Sequence, residues 1–109
     1  MAITEKMENE INTKEGLVEK LHKKLDELTD MEINKSKREN EILNDPNIAD
    51  KIEGKLTEKA KTNYCNQQLE ETSNEITWLK NDISKIKRDI ELCNDRISLY
   101  KYMVRESEL

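Results

Sequence analysis

Apolar residues return at every seventh position through the last third of the chain: Leu69, Ile76, Ile83, Ile90, Ile97 and Val104. Three residues further on stand Leu79, Ile86, Cys93 and Tyr100. Only a long helix covered along one seam by another helix needs such a repeat. Toward the N-terminus, Met7, Ile11, Val18, Leu21, Leu25 and Leu28 recur at spacings of three, four and seven, with Leu17 and Met31 widening the stripe. A first helix is therefore predicted from about Ile3 or Thr4, with Thr4 as cap and Glu5 at the positive helix end. Gly16 weakens that helix without breaking it. From Asn34 to Asn40 no apolar residue occurs, and the stripe returns at Ile42 and Leu43.

The one strong turn signal is Asn44-Asp45-Pro46-Asn47. Pro46 suits a first helical position, which makes Asp45 the expected N-cap. It divides the chain into a first arm of about 4–43 and a second of about 46–104, in a single helical coiled-coil domain. The second arm opens with Ile48, Ile52, Leu56 and Ala60, spaced by four, and this spacing loses phase with the later sevens before Cys65. A stutter in a continuous helix is favoured over a bend near Lys61-Thr62-Asn63. The expected fold is all-α: a long antiparallel helical hairpin or coiled coil, with a three-helix bundle as the alternative. In that hairpin Leu56–Leu69 would face Met31 back to Leu21. The second arm would then outrun the first by about 20 residues, or roughly 30 Å.

Such a surplus would leave its seam uncovered, and a second copy is the simplest cover. The oligomer seam is accordingly placed at Ile76, Leu79, Ile83, Ile86, Ile90, Cys93, Ile97, Tyr100 and Val104. The flanking charges pair Glu75 with Lys80 and Asp82 with Lys87 in a parallel homodimer, although Arg96 with Lys101 is unfavourable. Cys93 would then meet Cys93. A separate apolar set, Trp78, Leu92 and Leu99 with Tyr102 and Met103, points away from the seam and is the candidate face for another protein.

Composition agrees with helices that are thinly covered. Of 109 residues, 34% are apolar and 39% charged, with two Gly, one Pro and no Phe. Periodicity argues against the disorder that such charge would otherwise suggest. A net charge of −5 disfavours a general nucleic-acid surface and permits a basic partner. The N-terminus lacks the regions of a signal peptide, and no apolar run approaches a membrane span, so a cytoplasmic protein is expected.

Chemistry-bearing motifs are thin. Glu19 and His22 have the Glu-x-x-His spacing of di-iron bundles, but His22 is the only histidine, so that site cannot be completed. Cys65 and Cys93 lack metal spacing and read as buried thiols. No enzyme activity and no cofactor is expected. Lys51, Lys55 and Lys59, with Lys35, Lys37 and Arg38 across the turn, form a weakly basic tip interleaved with Asp45, Asp50, Glu53 and Glu58. Tyr102-Met-Val-Arg-Glu106 resembles the Tyr-x-x-x-Asp/Glu tail signal of type VII secretion substrates, helical hairpins of about this size. The resemblance covers five residues and the general shape. The Trp-x-Gly turn of that family is missing, since Asn-Asp-Pro-Asn stands at the turn and Trp78 is followed by Leu-Lys. A prefoldin-like hairpin is disfavoured because no strand-forming segment separates the arms.

The leading expectation is a protein–protein interaction module, an adaptor, scaffold or assembly factor. The first alternative is a small phage or mobile-element inhibitor of a host protein. Lesser alternatives are the type VII-like hairpin and a nucleic-acid-binding tip.

Overall fold

The computed structural model describes residues 2–108. It is all-α, built on one long pair of antiparallel helices. α1 spans Ile3–Leu43, α2 Ile48–Lys51, α3 Glu58–Gln68 and α4 Glu70–Glu108. The chain divides into two units. One holds α1 up to Asp26 with α4 from Asn81 onward, and the other runs from Glu27 to Lys80.

α1 begins two residues earlier than a Thr4 cap would allow. The Lys6 N–H donates to the Ala2 carbonyl at 3.1 Å, so Thr4 lies inside the helix. The helix also continues unbroken through the apolar-free stretch 34–40. There Lys35 and Glu39 are half-buried and form an ion pair at 3.8 Å, while Arg38 donates to Thr72 at 3.2 Å.

In the unit from Glu27 to Lys80, the turn forms at Asn44–Asn47 as expected, but Pro46 is not helical. The Asp45 carboxylate instead accepts the Asn47 N–H at 2.9 Å and pairs with Lys51 at 2.6 Å. α2 then starts at Ile48 with Asn47 as its cap, and Ile48 is buried. The expected continuous second helix is not what forms. The chain leaves helix between Ile52 and Thr57, where Gly54 adopts φ +87, a left-handed conformation that glycine accepts at little cost. Helix resumes at Thr57, whose hydroxyl accepts the Ala60 N–H at 3.0 Å. The loss of phase ahead of Cys65 is therefore a restart after a loop, and Lys61–Asn63 sit within regular helix. A second, lighter interruption falls at Leu69. This residue is the most completely buried side chain, yet it leaves helical geometry with φ −107 and ψ 11. Hydrogen bonds from Leu69 N–H to the Cys65 carbonyl and from Ser73 N–H to the Leu69 carbonyl carry the ladder past it.

In the unit that joins α1 to Asp26 with α4 from Asn81, the two helices run antiparallel. Arg96 reaches Glu10, and Lys20 and Lys24 border one groove with Asp82, Lys85 and Ile86. This overturns the expected register. Leu21 faces the region of Ile86 rather than Leu69, because the residues taken up by α2 and the 52–57 loop do not extend the second arm. The supposed surplus of about 20 residues is thereby used up. Ile83, Ile86, Cys93 and Ile97 are buried within a single chain, and Ile90, Tyr100 and Val104 are half-buried.

Candidate interaction surfaces

The seam row on α1 takes in most of the apolar stripe read in the sequence and adds charged positions to it. Half-buried positions recur at Ile3, Met7, Glu10, Lys14, Leu17, Leu21, Lys24, Leu28, Met31 and Lys35, alternating by four and three. Charged side chains thus share the seam, Val18 and Leu25 are half-buried beside it, and Ile11 is exposed. Among the described residues α1 contains none that is fully buried. Most of the buried residues are on α4, with Ile48, Cys65 and Leu69 ahead of it in the chain.

Each cysteine sits opposite such a charged position, and both thiols are free and buried beneath one layer of helix. Burial pushes the Cys93 thiol above its ordinary ionisation, and the neighbouring Glu10 carboxylate adds to the shift. Glu10 Oε1 accepts from Arg96 at 3.4 Å, while its Oε2 is buried without a hydrogen-bond partner. Cys65 is pushed up by burial and then by Glu39, with Lys35 opposing. A short thiol at these places leaves room for a long carboxylate to cross the seam.

The seam residues proposed for self-association, from Ile76 to Val104, are thus already packed inside the chain. The face away from the seam is different. In the unit containing the end of α4, Leu92 is 45% exposed, Leu99 55%, Tyr102 60% and Met103 39%. A shallow groove beside Leu92 is completed by Thr13, Leu17, Asp89, Cys93 and Arg96. On the opposite flank, Ile11, Val18, Ile97 and Lys101 line a second groove. Trp78, at 64% exposed, belongs to the other unit.

The remaining candidates are dispersed. Lys51, Lys55 and Lys59 do not form one stripe, because Lys51 is in α2, Lys55 in the loop and Lys59 in α3. Lys51 is committed to Asp45, which lowers the Asp45 ionisation and raises its own. Glu19 and His22 are both exposed, and among the described residues no group of acidic, His or Cys side chains could hold a metal ion. Among the described residues no helix is long and apolar enough to cross a membrane. Tyr102 and Glu106 are both exposed, one turn apart on α4.

Fold and surface together define a helical hairpin whose seam is closed by its own arms and whose outer faces carry apolar side chains. Compared with known proteins, the chain matches no family model, no curated protein and no solved structure.

Proposed function

We propose that the protein is a non-enzymatic protein–protein interaction module that binds through the outer face of α4. The observation that carries this reading is the exposed row Leu92, Leu99, Tyr102 and Met103, on a helix whose seam is already covered. Covering four half-exposed side chains of this size contributes on the order of 4 kcal/mol before the costs of association. Tyr and Met are also frequent at such contacts. The reading is tested by capture from native-host extract with the wild-type chain and a Leu92→Asp/Leu99→Asp variant. The variant should keep its helix content and lose the captured protein. Equal retention by both chains sinks the reading. Trp78→Ala is the matching arm for the other unit.

A second reading draws on Tyr102 and Glu106. Their exposure, one turn apart, is what a receptor of a tail signal would require. If the type VII-like pattern operates, Tyr102→Ala should abolish export without changing helix content, and continued export would exclude it.

A further inference from the structure

We infer that the occupant of the outer α4 face is a second copy of this chain, packed with its own α4 antiparallel. The inference rests on reading that face as an interaction surface. It goes further because the face is complementary to itself. In order along α4 it presents Lys85, Arg88, Leu92, Asp95, Arg96, Leu99, Tyr102, Met103 and Glu106, every one of them exposed.

Consider a twofold axis through the midpoint between Asp95 and Arg96. It sets Leu92 against Leu99 of the other copy, and Leu99 against Leu92. At the axis Asp95 and Arg96 stand on opposite flanks, each beside its own copy, so the favourable charge pairs lie at the ends of the patch. Glu106 meets Lys85, Tyr102 lies against Arg88, and Met103 packs beside Asp89 on the other flank. A parallel arrangement does the opposite, because every charge then meets its own copy. Isologous contact between identical patches is the usual geometry of a homodimer, and this patch satisfies it only in the antiparallel sense. The contact runs about 30 Å along the helix, from Lys85 to Glu106. An interface of one helix pair lies at the low end of stable contacts, near about 1,200 Å² in total. The dimer is therefore concentration-dependent rather than permanent.

Sedimentation equilibrium on the full chain, from micromolar to millimolar concentration, tests this. Mass should rise with concentration toward twice the 12.9 kDa chain. Leu99→Asp should hold it at the monomer. Lys85→Glu and Glu106→Lys each turn two attractive pairs repulsive and should weaken the dimer about tenfold. The combined Lys85→Glu/Glu106→Lys variant restores opposite charges and should return to within about threefold of the wild type. Circular dichroism checks that each variant keeps its helices. A dimer indifferent to Leu99→Asp, or a combined variant weaker than either single one, overturns the arrangement. A chain monomeric throughout also overturns it. If that chain still loses its captured protein with Leu92→Asp/Leu99→Asp, the face is an interaction surface for a different protein, and the broader reading stands.

Discussion

Glu10→Leu should make the protein more stable. Glu10 occupies a seam position on α1, and its side chain is only 19% exposed. One carboxylate oxygen is buried without a partner, a situation that costs about 1–3 kcal/mol. The compensating pair with Arg96 is long at 3.4 Å and half-exposed on the arginine side, so its contribution is discounted to about 0–1 kcal/mol. Leucine at the same place meets the small Cys93 side chain, which leaves it space, and contributes about 1.5 kcal/mol of apolar burial. Arg96 then turns to solvent at little cost. The expected net gain is about 1.5–4.5 kcal/mol, at roughly 4–8 °C in Tm for each kcal/mol in a domain of this size. Urea unfolding followed by far-ultraviolet circular dichroism measures it directly. Glu10→Gln, which removes the charge but keeps a polar group in the seam, should gain less. A loss of more than about 1 kcal/mol in Glu10→Leu would refute the reasoning. The carboxylate–guanidinium pair would then outweigh the cost of burying an unsatisfied oxygen.

The glycines should respond in opposite directions. At Gly16 an added Cβ meets nothing within 4 Å inside a regular helix, so Gly16→Ala should gain about 1 kcal/mol. Gly54→Ala, at φ +87, should lose about 1–2 kcal/mol, both read by chemical denaturation. The cysteines should give an alkaline dependence. Both are raised above their ordinary value of 9.0, so the folded state favours the neutral thiol. Their contribution is complete below about pH 9, where the unfolded thiols are also neutral, and is lost as pH rises beyond it. A Cys65→Ala/Cys93→Ala variant should flatten this slope, and an unchanged slope would remove the thiols as its cause.

The α4 seam was legible because β-branched residues at sevens admit one reading. The α1 seam was legible in part. Met7, Leu17, Val18, Leu21, Leu25, Leu28 and Met31 stood in the apolar stripe and are half-buried, whereas nothing in that stripe announced the inward turn of Glu10, Lys14 and Lys24. The cue lay in the partner helix, where small Cys93 makes room for a long polar neighbour. The break before α3 also left a signal: Gly54 stands three residues ahead of Thr57, and Thr57 caps α3. Pro46, the stronger breaker, masks it. Without the loop the arms take a different register, and an uncovered seam is the result. The outward set of Leu92, Leu99, Tyr102 and Met103 was legible, since positions off a heptad seam stay exposed unless a further helix arrives.

The loop at 52–57 also bears on the order in which contacts form. The Arg38–Thr72 contact joins residues 34 apart in the chain, whereas Arg96 and Glu10 are 86 apart. Closing the longer loop in an unstructured chain costs about 0.8 kcal/mol more in entropy. During synthesis the unit from Glu27 to Lys80 has all its residues once Lys80 has emerged. The beginning of α1, made before that unit, must wait for the end of α4, made after it. Until then its half-apolar face has no native cover, and that interval is when the nascent chain is most open to proteases and chaperones.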